Sequence, residues 1–247
     1  MLRSLLPMLD FTASKAVIAA KTNLLNKEKM SNPITFYFGS GSPYAWKVWL
    51  ALEHKKLPYE ARRMQFDNDD LKSAAFATVN PRRKVPALMD NGFAMYESAA
   101  MLEYLEDRYP DSGEPLWPRD VQSRAIARRR AAEVVSHIDP INSKMFSEIF
   151  GPADKAPNLE AIAAGKKSMS DELLRIEAWL DKDFLAGDKL SGADFTLYPY
   201  LAFFGRVDKR KPGYDMLALV PPTVADWMKR IEALPYFEKT FPPHWKA

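Results

Sequence analysis

Every strand signal in this chain of 247 residues falls between Ile34 and Tyr96, and none appears from about Asp120 onward. The segment ITFYF (34–38) is β-branched and aromatic, is bounded by Pro33 and Gly39, and reads as a buried strand. After the turn GSGSP (39–43), apolar residues Trp46, Val48, Trp49, Leu50 and Leu52 mark a helix over 44–56, and Pro43 suits its first turn. YEARRMQF (59–66) reads as a second strand and 69–79 as a short helix or irregular segment. VPALMD (85–90) and FAMY (93–96) flank Asn91-Gly92, the pair that favours a tight hairpin turn. A helix follows over 97–109. The order β-α-β-(α)-β-β-α demands one crossover and one hairpin, hence a mixed sheet with helices packed on it.

PDSGEPLWPRD (110–120), with three prolines, reads as a linker. Beyond it the pattern predicts helices over 121–150, bent near Pro140, over 158–182, and over 222–234. Ser191-Gly-Ala-Asp194 has the spacing of a capping box before FTLYPYLAFF, whose Pro199 should kink the helix. The expected division is 1–31 as an N-terminal extension, 32–112 as an α/β domain, 113–120 as linker and 121–247 as an all-helical domain. Residues 1–31 are apolar and basic, interrupted by Pro7, Asp10 and Lys15. They lack the continuous apolar core of a secretory signal. A targeting presequence, an accessory helix and a start of translation at Met30 all remain open.

Composition removes several functions. With 47% apolar and 27% charged residues the chain fits a soluble globular protein. No apolar stretch approaches the ~18–20 residues of a membrane span, so no membrane role is expected. There is no cysteine, which excludes disulfides, thiolate zinc sites and a cysteine nucleophile. The net charge of +3 gives no reason to expect nucleic acid. His54, His137 and His244 are far apart in sequence, so no metal site is expected.

Two strand-to-helix junctions carry chemistry. At Ser40-Gly41-Ser42-Pro43 a hydroxyl precedes a helix N-terminus, where orphan backbone N–H groups and the helix dipole favour an anion. At Tyr96-Glu97-Ser98 an acid and a hydroxyl open a second helix. Simple capping would also explain either one. Lys84-Val85-Pro86 adds a third element at the entry to the hairpin. Ligands of open α/β sheets gather at strand ends of this kind.

SPYAWKVWLALEHKKLPYE (42–60), NPRRKVPALMDNGFAMYESAAMLEYLEDRYP (80–110) and SGADFTLYPY (191–200) together resemble the soluble glutathione S-transferases, from about Ile34 onward. The resemblance implies a thioredoxin-like N-terminal domain, an all-α C-terminal domain and a cis Val85–Pro86 bond. It implies glutathione as co-substrate: Val85 toward its cysteinyl backbone, Glu97 and Ser98 on its γ-glutamyl end, Lys84 and Lys72 toward its glycine carboxylate. In serine-type classes the hydroxyl that holds the thiolate falls on Ser42, with Ser40 and Tyr37 as rivals. The implied reaction is attack of the thiolate on an electrophilic small molecule by a cytoplasmic homodimer. Alternatives are a glutathione-dependent isomerase or lyase and a non-catalytic binding module. The motif SSCSWR of maleylacetoacetate isomerases is replaced here by GSGSPYAWK. Tyr44, Trp46, Met145 and Phe146 are candidates for an apolar second-substrate pocket, or ordinary core. His137 and Asp139, just before the bend, are candidate substrate contacts. Arg128, Arg129 and Arg130 read as solvated helix surface, with steering of an anionic ligand as the alternative.

Overall fold

The computed structural model describes residues 33–246, so the expectations for the N-terminal extension lie outside the described residues. The sheet has four strands: β1 (Ile34–Phe38), β2 (Tyr59–Arg63), β3 (Ala87–Asp90) and β4 (Phe93–Tyr96), in the order β2-β1-β3-β4. β1 and β2 are parallel across the crossover, whereas β1–β3 and β3–β4 are antiparallel. Helices α1 (Pro43–His54), α2 (Ala74–Val79) and α3 (Ser98–Arg108) complete this part. It is the mixed, thioredoxin-like arrangement that the alternation of signals required. β1 alternates buried and half-buried residues, with Ile34, Phe36 and Phe38 on the α1 side. Two strand boundaries move. β2 stops at Arg63, the residue opposite Phe38, because its partner strand ends there. β3 begins at Ala87, since Val85 and the cis Pro86 are still in the incoming loop.

The rest is helical: α4 (Val121–Glu133), α5 (Asp139–Ile149), α6 (Leu159–Glu177), α7 (Gly192–Arg210), α8 (Pro222–Glu232) and the single turn α9 (Phe237–Thr240). α4 and α6 start on short polar caps, Asp120 on Ser123 N–H at 2.8 Å and Asn158 on Ala161 N–H at 3.0 Å. α6 ends at Glu177, five residues before the end expected from sequence. The capping box at Ser191 and Asp194 forms, and α7 continues through Pro199. Between α4 and α5, residues Val134–Ile138 form a turn of π-helix, in which Asp139 N–H reaches back to Val134 C=O. Pro140 explains it. A proline in a regular helix would drive its ring into the carbonyl four residues back, and the wider turn relieves that clash.

The two parts are joined along α1, whose Ala45–Leu52 segment is buried throughout against the sheet, α3 and α7. Trp46 is 2% exposed and sits at the centre of this seam, among Tyr198, Phe237, Phe241 and Trp245. The linker is pinned by Trp117 over Gly192. A β-carbon at Gly192 would lie 2.5 Å from the indole, so only glycine admits it.

Candidate functional site

The turn after β1 is built on Gly41 (φ 80°), with Ser42 N–H donating to Gly39 C=O at 3.1 Å. Ser42 is the N-cap of α1. Its Oγ accepts from Ala45 N–H at 3.3 Å, which leaves its own proton free to donate outward. Opposite this turn lies the loop 80–86. Asn80 is buried and ties it together: its amide donates to Lys84 C=O at 2.7 Å and its carbonyl oxygen accepts from Arg82 N–H at 3.0 Å. The loop therefore delivers Lys84 and the cis Val85–Pro86 pair to the edge where β1 ends.

The register then adds a third junction. Ala87 lies opposite Tyr96, which sets Glu97 beside Pro86 at the same edge of the sheet. Glu97 is exposed, holds φ 69° and makes no side-chain cap to α3, although it stands at the N-cap position. Its nearest cation is Arg82, at 3.8 Å. Ser98, at the first helical position, is 8% exposed. A non-glycine residue held in the left-handed region at a strand–helix junction is a common signature of a functional site.

A cleft of about 530 Å³ runs along this edge, lined by Ser40, Gly41, Ser42, Pro43, Tyr44, Phe66, Leu71, Arg83, Lys84, Val85, Phe203, His244 and Trp245. One wall is cationic and carries backbone donors; the other is aromatic. Ser40, Ser42, Tyr44, Lys84 and Val85 are thus brought together, with Pro86, Glu97 and Ser98 at the adjoining end of the edge. Lys72 is not among the lining residues. Its ammonium is exposed and pairs with Asp69 at 3.3 Å, while its carbonyl accepts from Arg83, which takes the lining position instead. Tyr37 points to the other face of the sheet, its ring 5.5 Å from Phe76 with the Arg62 guanidinium 5.9 Å away.

Of the residues considered for an apolar pocket, Tyr44 lines the cleft. Its hydroxyl donates to Asp139 Oδ2 at 2.7 Å, so this contact joins the two parts of the protein. Burial, with the Asp139 carboxylate beside it, pushes the phenol up to about 12. Trp46 serves the core: its indole donates to Thr240 Oγ1 at 3.1 Å. Met145 is 1% exposed and packs on Gly165. Phe146 stacks on Phe203, at 4.9 Å between centroids, and backs the cleft rather than lining it. His137 is exposed. Arg128 pairs with Glu103, Arg129 with Glu133 at 3.2 Å, and Arg130 donates to Leu185 C=O, so the three arginines face three directions. Among the described residues, no group of His, Asp and Glu is placed to hold a metal ion, and no helix is long and apolar enough to cross a membrane.

Sequence reading missed the C-terminal segment. Pro243–Trp245 forms one 3-10 turn laid over Gly41, where a β-carbon would come within 2.8 Å of His244 Cε1. His244 Nδ1 is 2.6 Å from Ser40 Oγ. Trp245 wedges between Trp46 and Phe203, at 5.5 and 5.8 Å. The only signals available were a lone histidine and a lone tryptophan in PPHWKA, with no periodicity to place them.

Comparison with known proteins matches two family models, the glutathione S-transferase N-terminal domain over residues 41–108 and the glutathione S-transferase C-terminal domain over residues 138–235. Among curated relatives, glutathione S-transferase A of Pleuronectes platessa is 31% identical over 213 residues, covering 80% of this chain and 92% of its own. Maleylacetoacetate isomerase of Rattus norvegicus is 31% identical over 209 residues, covering 83% and 90%. Among solved structures, a glutathione S-transferase from the Antarctic clam Laternula elliptica superposes with a TM-score of 0.74 at 29% identity, covering 87% of this chain and 94% of that one.

Proposed function

This chain belongs to the glutathione S-transferase family, and from that premise we propose that it binds glutathione along the sheet edge and activates its thiol as thiolate for attack on an electrophilic small molecule. The observation that carries this reading is the convergence of two strand–helix junctions, at Ser42 and Glu97–Ser98, and the Val85–Pro86 loop into β3 on one edge beside an aromatic-walled cleft. Val85 offers its backbone to the cysteinyl unit of the tripeptide. Glu97 takes the γ-glutamyl ammonium, and Ser98 with the α3 N-terminus takes the adjoining carboxylate. Lys84 and Arg83 face the glycine carboxylate; Lys72 contributes to the field at longer range.

Ser42 is the donor to sulphur. A thiol of pKa about 8.5 is only ~3% ionised at pH 7. Lowering it by about two units makes it mostly thiolate and requires roughly 2.7 kcal/mol of preferential binding to the anion. A hydroxyl donating to an anion contributes ~1.5–3 kcal/mol and a helix N-terminus ~0.3–1 kcal/mol, so the two suffice. The Ser42 proton is free for this because its oxygen already accepts from Ala45 N–H. The electrophile would lie against Tyr44, Phe66, Phe203 and Trp245, an apolar wall suited to varied ligands.

With no cysteine in the chain, any thiolate absorbance comes from glutathione. The test follows that absorbance against pH for wild type and Ser42→Ala. The expected result is an apparent pKa well below 8.5 that rises by one to two units in the variant (about 10- to 100-fold in the ionisation constant). A low pKa retained by Ser42→Ala sinks the assignment. The second reading is a glutathione-dependent isomerase, favoured by the maleylacetoacetate isomerases among the relatives; product analysis separates it, since an isomerase consumes no glutathione. A cytoplasmic homodimer accompanies the family reading, and sedimentation of the full chain tests the dimer.

A further inference from the structure

We propose that His244 completes the sulphur site from the far end of the chain: acting through Ser40, it accepts the proton that the glutathione thiol gives up. The proposal rests on the glutathione reading above and extends it. Ser40 and Ser42 flank Gly41 in the same turn and line the same cleft, yet their hydroxyls are engaged oppositely. Ser42 Oγ accepts from backbone and keeps its proton for donation. Ser40 Oγ faces His244 Nδ1 at 2.6 Å, a short hydroxyl-to-imidazole contact. With the imidazole proton on Nε2, the Ser40 proton lies along that contact and the free lone pairs of Ser40 turn toward the cleft. One serine is set to give a hydrogen bond, the other to take a proton.

The step balances without a co-reactant. The thiol S–H bond breaks and its proton goes to Ser40 Oγ. The Ser40 O–H bond breaks at the same time and its proton goes to Nδ1. The products are a thiolate, an intact Ser40 hydroxyl and an imidazolium. A thiolate beside an imidazolium is an ion pair that itself lowers the thiol pKa. Ser40 touches the thiol; His244 is a positioning and proton-accepting residue that works through it.

The surroundings suit this role. Burial holds the His244 imidazole below its usual range, and the cations Arg206 and Arg210 of α7 and Arg63 at the end of β2 push in the same direction. His244 is therefore neutral before glutathione arrives, and the tautomer with its proton on Nε2 leaves Nδ1 to accept. Arg83 and Lys84 face it across the cleft. The two carboxylates of glutathione offset this positive field, which favours the imidazolium once the ligand is bound. The segment is also held in place: Trp245 is 8% exposed against Trp46 and Phe203, and Thr240 accepts from the Trp46 indole.

The test measures protons. Binding of glutathione to the full chain is followed by calorimetry near neutral pH in two buffers of different ionisation enthalpy, alongside thiolate absorbance. In wild type, fewer protons reach the buffer than thiolates form. His244→Asn sets an amide near the position of Nδ1, keeps a hydrogen bond to Ser40 and cannot be protonated. It should bind glutathione, form about tenfold less thiolate and release one proton for each thiolate formed. Ser40→Ala breaks the same relay without disturbing Trp245 and should reproduce both changes, which covers the case in which His244→Asn fails to fold. Wild type releasing one proton per thiolate, or either variant keeping the wild-type titration, overturns the proposal while leaving Ser42 activation standing. Absence of thiolate formation in wild type overturns both.

Discussion

Of the helix starts that carry an acid, those of α7 and α3 use it in opposite ways. At α7, Asp194 is 0% exposed and collects four donors: the Leu185 and Ser191 amides, the Ser191 hydroxyl and the Trp227 indole, all at 2.8–2.9 Å. At α3, Glu97 is exposed in a left-handed conformation and caps nothing. Asp194 is saturated from within the chain and ties the loop before α7, α7 itself and α8 into one unit. The Glu97 carboxylate takes no hydrogen bond from the chain and meets only Arg82, at 3.8 Å, so it stays open to solvent. An acid at a helix start is thus buried and saturated, or exposed and unsatisfied, according to whether the chain itself supplies its donors.

Substitutions should separate the two. Asp194→Ala strands several buried donors and is expected to cost roughly 3–5 kcal/mol, seen as a large fall in melting temperature with or without glutathione. Next in size is a buried charge without a carboxylate close by. Lys47 is 1% exposed and has no ion pair among the described residues, whereas Lys55 on the same helix pairs with Glu106 at 2.8 Å. Burial pushes Lys47 down to about 8, partly opposed by Asp139. Because its folded pKa lies below the unfolded value, the unfolded chain binds more protons between about pH 8 and 10.5. Stability should therefore rise with pH across that window and fall as pH drops through 8. Lys47→Met should abolish the slope and stabilise the protein at pH 7 by on the order of 3 kcal/mol; an unchanged slope in denaturant titrations counts against it. Glu97→Gln should leave melting within about 0.5 kcal/mol yet weaken glutathione binding by roughly 10- to 100-fold, read by calorimetry. Loss of stability without loss of binding would make Glu97 a second Asp194. The smallest effect is Trp46→Phe, which removes the bond to Thr240 and should cost about 1–2 kcal/mol while leaving KM for the electrophile unchanged.

The sheet half was legible because its signals are local. A β-branched run, Asn91-Gly92 and Pro43 each act within a few residues, and the three junctions at Ser42, Val85 and Glu97 are contiguous motifs. The capping box at Ser191 is local in the same way. What escaped was long-range. Tyr44 meets Asp139 across 95 residues and Ser40 meets His244 across 204, and no periodicity announces either. Trp46 was ambiguous between cleft and core because α1 is buried nearly all round, so its sequence has no apolar stripe to show which face points where. Lys72 pairs with Asp69 at 3.3 Å and does not line the cleft, whereas Arg83 does, and neither point is set by the spacing of charges along the chain.

The π-helical turn at Val134–Ile138 has a consequence for how this protein could vary over descent. Such a turn accommodates one residue more than a regular helix of the same rise. Each residue of an α-helix advances the face by about 100°. Because the wide turn absorbs that step, deleting one position from it would close it to a regular α-helix and bring back the clash at Pro140 that it relieves. The extra residue and Pro140 therefore stand or fall together, although neither lies in the cleft.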